Sequence, residues 1–100
     1  MNAKLELSML LKEALTTNAR IKCAKIQYKT QVIILVSNHT KTDFNNFLKK
    51  LDFEYDDDYG YQELYGCVWF TNGTWAERLE YDGCEKWQHK CIPEIPKECI

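Results

Sequence analysis

Residues 68–78 read VWFTNGTWAER, two apolar and aromatic runs on either side of an Asn-Gly pair. This pattern is a strong signal for a β-hairpin with a two-residue type I′ turn, because both central positions of that turn need a positive φ. The turn length fixes the register of the two strands. It predicts that Phe70 faces Trp75, that Trp69 faces Ala76, and that Trp69 and Arg78 share one face of the sheet.

A second hairpin follows at once, because Asp82-Gly83 is another type I′ signal. Its register pairs Arg78 with Trp87. Three antiparallel strands are therefore predicted, at about 66–71, 74–81 and 84–89. One face then holds Trp69, Arg78 and Trp87, where a guanidinium can lie on an indole ring.

The aromatic residues on both predicted faces allow two interpretations. In the first, both faces are buried, one under helices and the other under the loop 52–65 or the proline-containing tail. In the second, the face with Trp69, Arg78 and Trp87 is an exposed patch. Tryptophan, tyrosine and arginine are the residues that dominate binding hot spots.

The first half of the chain predicts two helices and one hairpin. Apolar residues at helical spacing predict a helix at about 3–16, and Thr40 is placed to cap a second helix. Strands are expected at 21–28 and 31–37, around a turn at Lys29-Thr30. The run VIILV at 32–36 is apolar on both faces, which predicts a central strand covered on both sides.

These elements predict a single α+β domain in the order α-β-β-α-β-β-β. We expect one antiparallel sheet of four or five strands with the two helices packed on one face. The chain has 100 residues, enough for one core, and a net charge of −2 from 13 basic and 15 acidic side chains. This balance gives no general attraction to nucleic acid or to membranes, so neither is expected as a partner.

Charged residues interrupt the N-terminal segment, so a signal peptide is not expected. We therefore expect an intracellular location and free thiols at the five cysteines.

The segment 52–65, DFEYDDDYGYQELY, is acidic and rich in tyrosine, and it is predicted to be a long loop. A calcium loop of the EF-hand type is not expected, because the glycine falls at position five rather than six. The loop is expected instead to bind a basic surface of another protein. The candidate residues are Glu54, Asp56, Asp57, Asp58, Tyr59, Tyr61 and Glu63, with Trp69, Arg78 and Trp87 beside them.

A weaker alternative is a zinc site or a thiol-dependent enzyme built on Cys84, His89 and Cys91. The sequence has no Cys-x-x-Cys pair, and no local signature supports a cysteine nucleophile. No cofactor is therefore expected. A third alternative is a structural protein whose sheet edge or tail pairs with a second copy to form a homodimer.

The run YGYQELYGCVWFTNGTWAERLEYDGCEKW at 59–87 resembles a stretch in small accessory proteins of tailed bacteriophages. The similarity lies in Gly-x-Gln-Glu-Leu-x-Gly, a Trp, Gly-Thr-Trp, an Arg, Tyr-Asp-Gly and a final Trp. Leu79 stands where the pattern has glycine, and Cys84 and Lys86 replace serine and tryptophan. The loss of a glycine could remove a β-bulge and change the register.

The resemblance brings no catalytic residues with it. It implies a phage protein made in the bacterial cytoplasm that binds and inhibits a host protein, such as a CRISPR or restriction component. This expectation rests on the resemblance and not on a chemical motif. The acidic loop adds the expectation that this target is a nucleic-acid-binding protein with a basic surface.

Overall fold

The computed structural model describes residues 1–56 and 61–99 of the chain. The elements are α1 (Ala3–Leu15), β1 (Ile21–Tyr28), β2 (Gln31–Leu35), α2 (Lys41–Lys50), β3 (Leu64–Phe70), β4 (Trp75–Tyr81), β5 (Cys84–Lys90) and a short 3₁₀ turn (Lys97–Cys99). The predicted α+β class and the predicted order of helices and strands are confirmed.

The two helices pack on one face of a single antiparallel sheet and form the core there. Leu7 and Leu10 of α1 and Phe47 of α2 are buried in one cluster with Val68 and Phe70 of β3. The predicted cap of α2 is present as a capping box. Asp43 N donates to Thr40 Oγ1 at 3.1 Å, and Thr40 N donates to Asp43 Oδ2 at 3.0 Å. Within the described ranges, no helix has the length and apolar character needed to cross a membrane.

The strand order is β2-β1-β3-β4-β5, which puts β2 at an edge of the sheet. The prediction that residues 32–36 form a central strand covered on both sides was therefore wrong. Ile33 is buried under the helices, whereas Ile34 points to the other face and is 59% exposed. Both helices pack on the same side, so the second apolar row of β2 has no covering layer within the described residues.

The register predicted for the first hairpin was also wrong, by one residue. Trp69 pairs with Trp75, and Val68 pairs with Ala76. The loop has three residues: Phe70 N donates to Thr74 O at 2.9 Å, and only Gly73 has a positive φ, of 85°. The side chain of Asn72 stabilises this loop by accepting from Thr74 N at 3.1 Å. A three-residue loop that ends in a left-handed glycine is the second common hairpin type.

The second hairpin has the predicted register. Tyr81 pairs with Cys84 and Arg78 pairs with Trp87. Asp82 and Gly83 have φ values of 53° and 84°, as a type I′ turn requires. Because the first hairpin is shifted and the second is not, Trp69 lies on one face of the sheet while Arg78 and Trp87 lie on the other.

Candidate protein-binding surface

The sheet face opposite the helices is uncovered in the described part of the chain, and we call it the open face. Alternation along the strands determines which residues it presents. Several large apolar side chains on it are exposed, among them Ile34, Tyr65, Trp69 at 41% and Tyr81 at 77%. The residues of the open face are Cys23, Lys25, Gln27, Val32, Ile34, Tyr65, Cys67, Trp69, Trp75, Glu77, Leu79, Tyr81, Cys84, Lys86, Gln88 and Lys90.

Trp69 and Trp75 form a direct cross-strand pair at one end of the open face. Trp75 Nε1 donates to Glu77 Oε1 at 2.9 Å, and Glu77 Oε2 accepts from Lys90 Nζ at 3.1 Å. The hydrogen bond from Lys90, and then the one from Trp75, lower the pKa of Glu77. The Trp75 indole is thus held within the sheet surface by internal partners.

Trp69 stands between two shallow depressions. One, of about 530 Å³, lies on the β1–β2 side and is lined by Cys23, Lys25, Ile34 and Val36 among others. The second, of about 320 Å³, lies toward the hairpin loop and includes Lys22 and Thr74. An indole between two apolar hollows is a suitable anchor for a partner surface.

Arg78 does not belong to the open face, contrary to the sequence prediction. Its side chain is only 1% exposed and forms ion pairs with Glu6 and Glu85, both at 2.9 Å. The predicted contact between the guanidinium and Trp87 is present, with Arg78 Cζ 5.2 Å from the ring centre. The predicted surface of Trp69, Arg78 and Trp87 therefore does not exist as one patch. The one-residue shift of the first hairpin separates its members.

A buried polar network surrounds Arg78, and most of its members were not found from the sequence. Arg78 Nη2 donates to the Tyr55 hydroxyl at 2.9 Å, and that hydroxyl in turn donates to Glu6. Burial, and then the hydrogen bond to Glu6, raise the pKa of Tyr55. Glu6 and Tyr55 lie far from Arg78 in sequence, so no local pattern could have indicated this cluster.

The network also fixes both ends of the acidic segment. The carboxylate of Glu85 accepts from Glu63 N at 2.8 Å and from Leu64 N at 3.0 Å. Glu63 Oε2 accepts from Asp56 N at 3.1 Å, which closes the segment across its base. Glu63 is thus a structural residue of the loop rather than a free contact.

Of the other predicted loop residues, three are described by the structure and are exposed. Glu54 and Asp56 are exposed, and Tyr61 is 97% exposed, so all three are accessible to a partner. Asp57, Asp58 and Tyr59 lie outside the described residues.

The alternative site of Cys84, His89 and Cys91 is not assembled. Cys84 lies on the open face at the start of β5, whereas His89 lies on the helix side near its end. His89 Nε2 instead hydrogen-bonds with Thr74 Oγ1 at 2.9 Å. Over residues 1–56 and 61–99, no three His, Cys, Asp or Glu side chains are grouped closely enough to hold a metal ion.

Charge is distributed unevenly along the strands. The acidic segment meets the sheet at Leu64, which pairs with Tyr28 at the end of β1. Lys22 and Lys90 lie at the opposite end, near the Trp69–Trp75 pair. A partner that covers the open face would therefore meet acidic groups at one end and basic groups at the other.

Comparison of the chain with family models, with curated proteins and with solved structures gave no match.

Proposed function

We propose that this chain is a non-enzymatic binding protein that acts by occupying a surface of another protein. On the resemblance of residues 59–87 to phage accessory proteins, we propose further that it is phage-encoded. Its target would be a protein of the bacterial host, such as a component of a CRISPR or restriction defence system, which it would inhibit by blocking access to the covered surface.

The observation that supports this proposal is the exposed apolar open face. Five strands spaced about 4.8 Å apart and about seven residues long present roughly 500 Å² in flat projection. On this surface the exposed apolar side chains of Ile34, Tyr65, Trp69 and Tyr81 lie among charged and amide side chains. Large apolar side chains exposed together on one face, with polar residues around them, are typical of interaction sites. A standard interface covers about 800 Å² per partner, so the open face with its rim suffices for one.

The acidic segment gives the proposed interface a second element. Glu54, Asp56 and Tyr61 are accessible, and the bond from Asp56 N to Glu63 holds the base of the segment. Because its base is held in place, a partner loses less conformational entropy in binding it. Carboxylates beside a tyrosine favour a basic patch on the partner at this end.

The proposal can be tested with the tagged chain as bait in a bacterial lysate, followed by identification of the retained protein. We expect one stoichiometric host protein, bound by wild type and lost in Trp69→Ala and in Ile34→Lys. Met9→Lys is the matched control, because Met9 is as exposed as Ile34, at 59%, but lies on α1. Circular dichroism of each variant establishes that it is folded.

A second set of variants tests the acidic segment. Reversal of Asp56, Asp57 and Asp58 to lysine should weaken retention of the same protein, whereas Glu13→Lys on α1 should not. If the triple variant retains the host protein as well as wild type does, the acidic segment is not part of the interface. If light scattering of the pure chain shows a dimer that Trp69→Ala dissociates, and no host protein is retained, the open face binds a second copy and the proposed function is wrong.

A further inference from the structure

We infer that the open face binds an amphipathic helix of the partner whose polar side is acidic. This inference rests on the proposed function and adds the chemistry of the bound element. The acidic segment, at the far end of the sheet, favours a basic patch on the partner. The present inference concerns the open face itself and the part of the partner that covers it.

The charge of the open face is the first argument. Its charged residues are Lys25, Lys86, Lys90 and a single acid, Glu77. The local balance is three positive charges against one negative, or +2, whereas the whole chain has a net charge of −2. A basic helix would meet like charges here, which disfavours binding.

The depressions beside Trp69 give the second argument. Their described lining includes Lys22 and Lys25 and contains no carboxylate. Lys90 already pairs with Glu77 at 3.1 Å, but the described residues contain no ion-pair partner for Lys22 or Lys25. An acidic helix would therefore gain new ion pairs without breaking an existing one.

The shape of the surface favours a helix. The apolar side of an amphipathic helix presents residues at i, i+3, i+4 and i+7, which form a continuous ridge. The larger depression, of about 530 Å³, runs between Trp69 and the exposed row of Ile34 and Val36. The strands are about 23 Å long, so a helix of about 15 residues, at 1.5 Å per residue, spans the face.

Two fluorescent 15-residue peptides with the same leucine stripe test the inference directly. One has glutamate on its polar side and the other lysine, and fluorescence anisotropy measures their affinity for the intact chain at fixed ionic strength. We expect the acidic peptide to bind at least tenfold more tightly. The Trp69→Ala variant should bind the acidic peptide about tenfold more weakly than wild type does.

Charge reversal shows whether the two lysines determine the preference. The double variant Lys22→Glu/Lys25→Glu should bind the basic peptide more tightly than the acidic one. The control Lys49→Glu/Lys50→Glu, on α2 in the other layer, should keep the wild-type preference. Equal binding of both peptides, or a preference that the Lys22/Lys25 variant leaves unchanged, would overturn the inference.

A mixed-sequence single-stranded oligonucleotide is measured beside the peptides, because it too is anionic and stacks on exposed aromatic rings. Tighter binding of the oligonucleotide than of the acidic peptide would also overturn the inference.

The lysate experiment separates this inference from the proposed function. A host protein that requires Trp69 but is retained equally by Lys22→Glu/Lys25→Glu supports the function and overturns the inference. If the chain binds the acidic peptide selectively but retains no host protein, the inference is supported and the proposed function is overturned.

Discussion

Arg78 Nη2 lies 2.9 Å from Glu85 Oε1, and the same carboxylate accepts the main-chain N–H groups of Glu63 and Leu64. This buried ion pair thus adds a side-chain link to the ladder between β4 and β5, and its carboxylate also fixes the point where the acidic segment enters β3. The fold and the accessible surface of the segment therefore depend on the same contact.

Arg78→Met should destabilise the protein strongly. Glu6 and Glu85 would lose their common cation, and removal of one member of a buried ion pair costs about 3–5 kcal/mol. Urea unfolding followed by circular dichroism measures the change. Lys86→Met, an exposed cation of the neighbouring strand, is the control and should change stability by no more than about 0.5 kcal/mol. Similar midpoints for both variants would contradict the role assigned to Arg78.

Gly66→Ala should be among the most destabilising single methyl additions in this chain. A Cβ at position 66 would lie 2.5 Å from Lys25 O and 2.9 Å from Ile26 Cα, and φ is +148°. Because both neighbours are main-chain atoms of β1, β3 must move away from it, and we expect a loss of at least about 3 kcal/mol.

The matched control is Gly73→Ala, where φ is +85° and no atom lies within 4 Å of the added Cβ. Only the left-handed backbone disfavours this change, by about 1–2 kcal/mol. Equal losses in the two variants would show that β3 accommodates the methyl group at position 66.

The stability that Tyr55 contributes to the fold should be lost at alkaline pH. Its pKa is raised in the folded state by burial and by the Glu6 hydrogen bond. A group whose folded-state pKa exceeds its unfolded value stabilises the fold fully below the unfolded pKa, which is about 10 for tyrosine. That stability is lost as pH rises above about 10, because the unfolded chain then ionises while the folded chain does not.

The measurement is the free energy of unfolding of wild type and Tyr55→Phe at several pH values from 8 to about 11. The difference between them should shrink above about pH 10, because phenylalanine cannot ionise in the unfolded chain. Tyr61→Phe, at a position that is 97% exposed, is the control. A constant difference between wild type and Tyr55→Phe would be evidence against the buried neutral hydroxyl.

Lys29→Asn should stabilise the turn between β1 and β2. Lys29 has φ of 55°, a left-handed conformation that asparagine tolerates better than lysine. The variant loses a contact between Lys29 Nζ and the Tyr28 ring, 5.2 Å apart, which offsets part of the gain. We expect a net increase of about 0.5 kcal/mol in unfolding free energy, measured against Thr30→Asn at the neighbouring turn position. A decrease would show that the ring contact outweighs the backbone strain.

Several parts of the fold could be predicted because their causes lie within a few residues. The capping box of Thr40 and Asp43 spans one helical turn, and the type I′ turn at Asp82-Gly83 depends on two adjacent residues. The apolar spacing that predicts α1 also lies within a few turns of one helix. The acidic, tyrosine-containing segment could be recognised for the same reason, although not the way in which Glu63 closes it.

The sequence by itself determined the α+β class, the helices, the second hairpin and the presence of an acidic segment. Only the tertiary structure decided the register of the first hairpin, the edge position of β2 and the burial of Arg78. Asn-Gly is compatible with a two-residue and with a three-residue loop, and the choice moves Arg78 from one face of the sheet to the other. Arg78 lies under the helices because Glu6, 72 residues away, and Glu85 neutralise it there. Such a long-range contact produces no local pattern in the sequence. Because Arg78 is held under the helices, Trp69 lies on the open face without it.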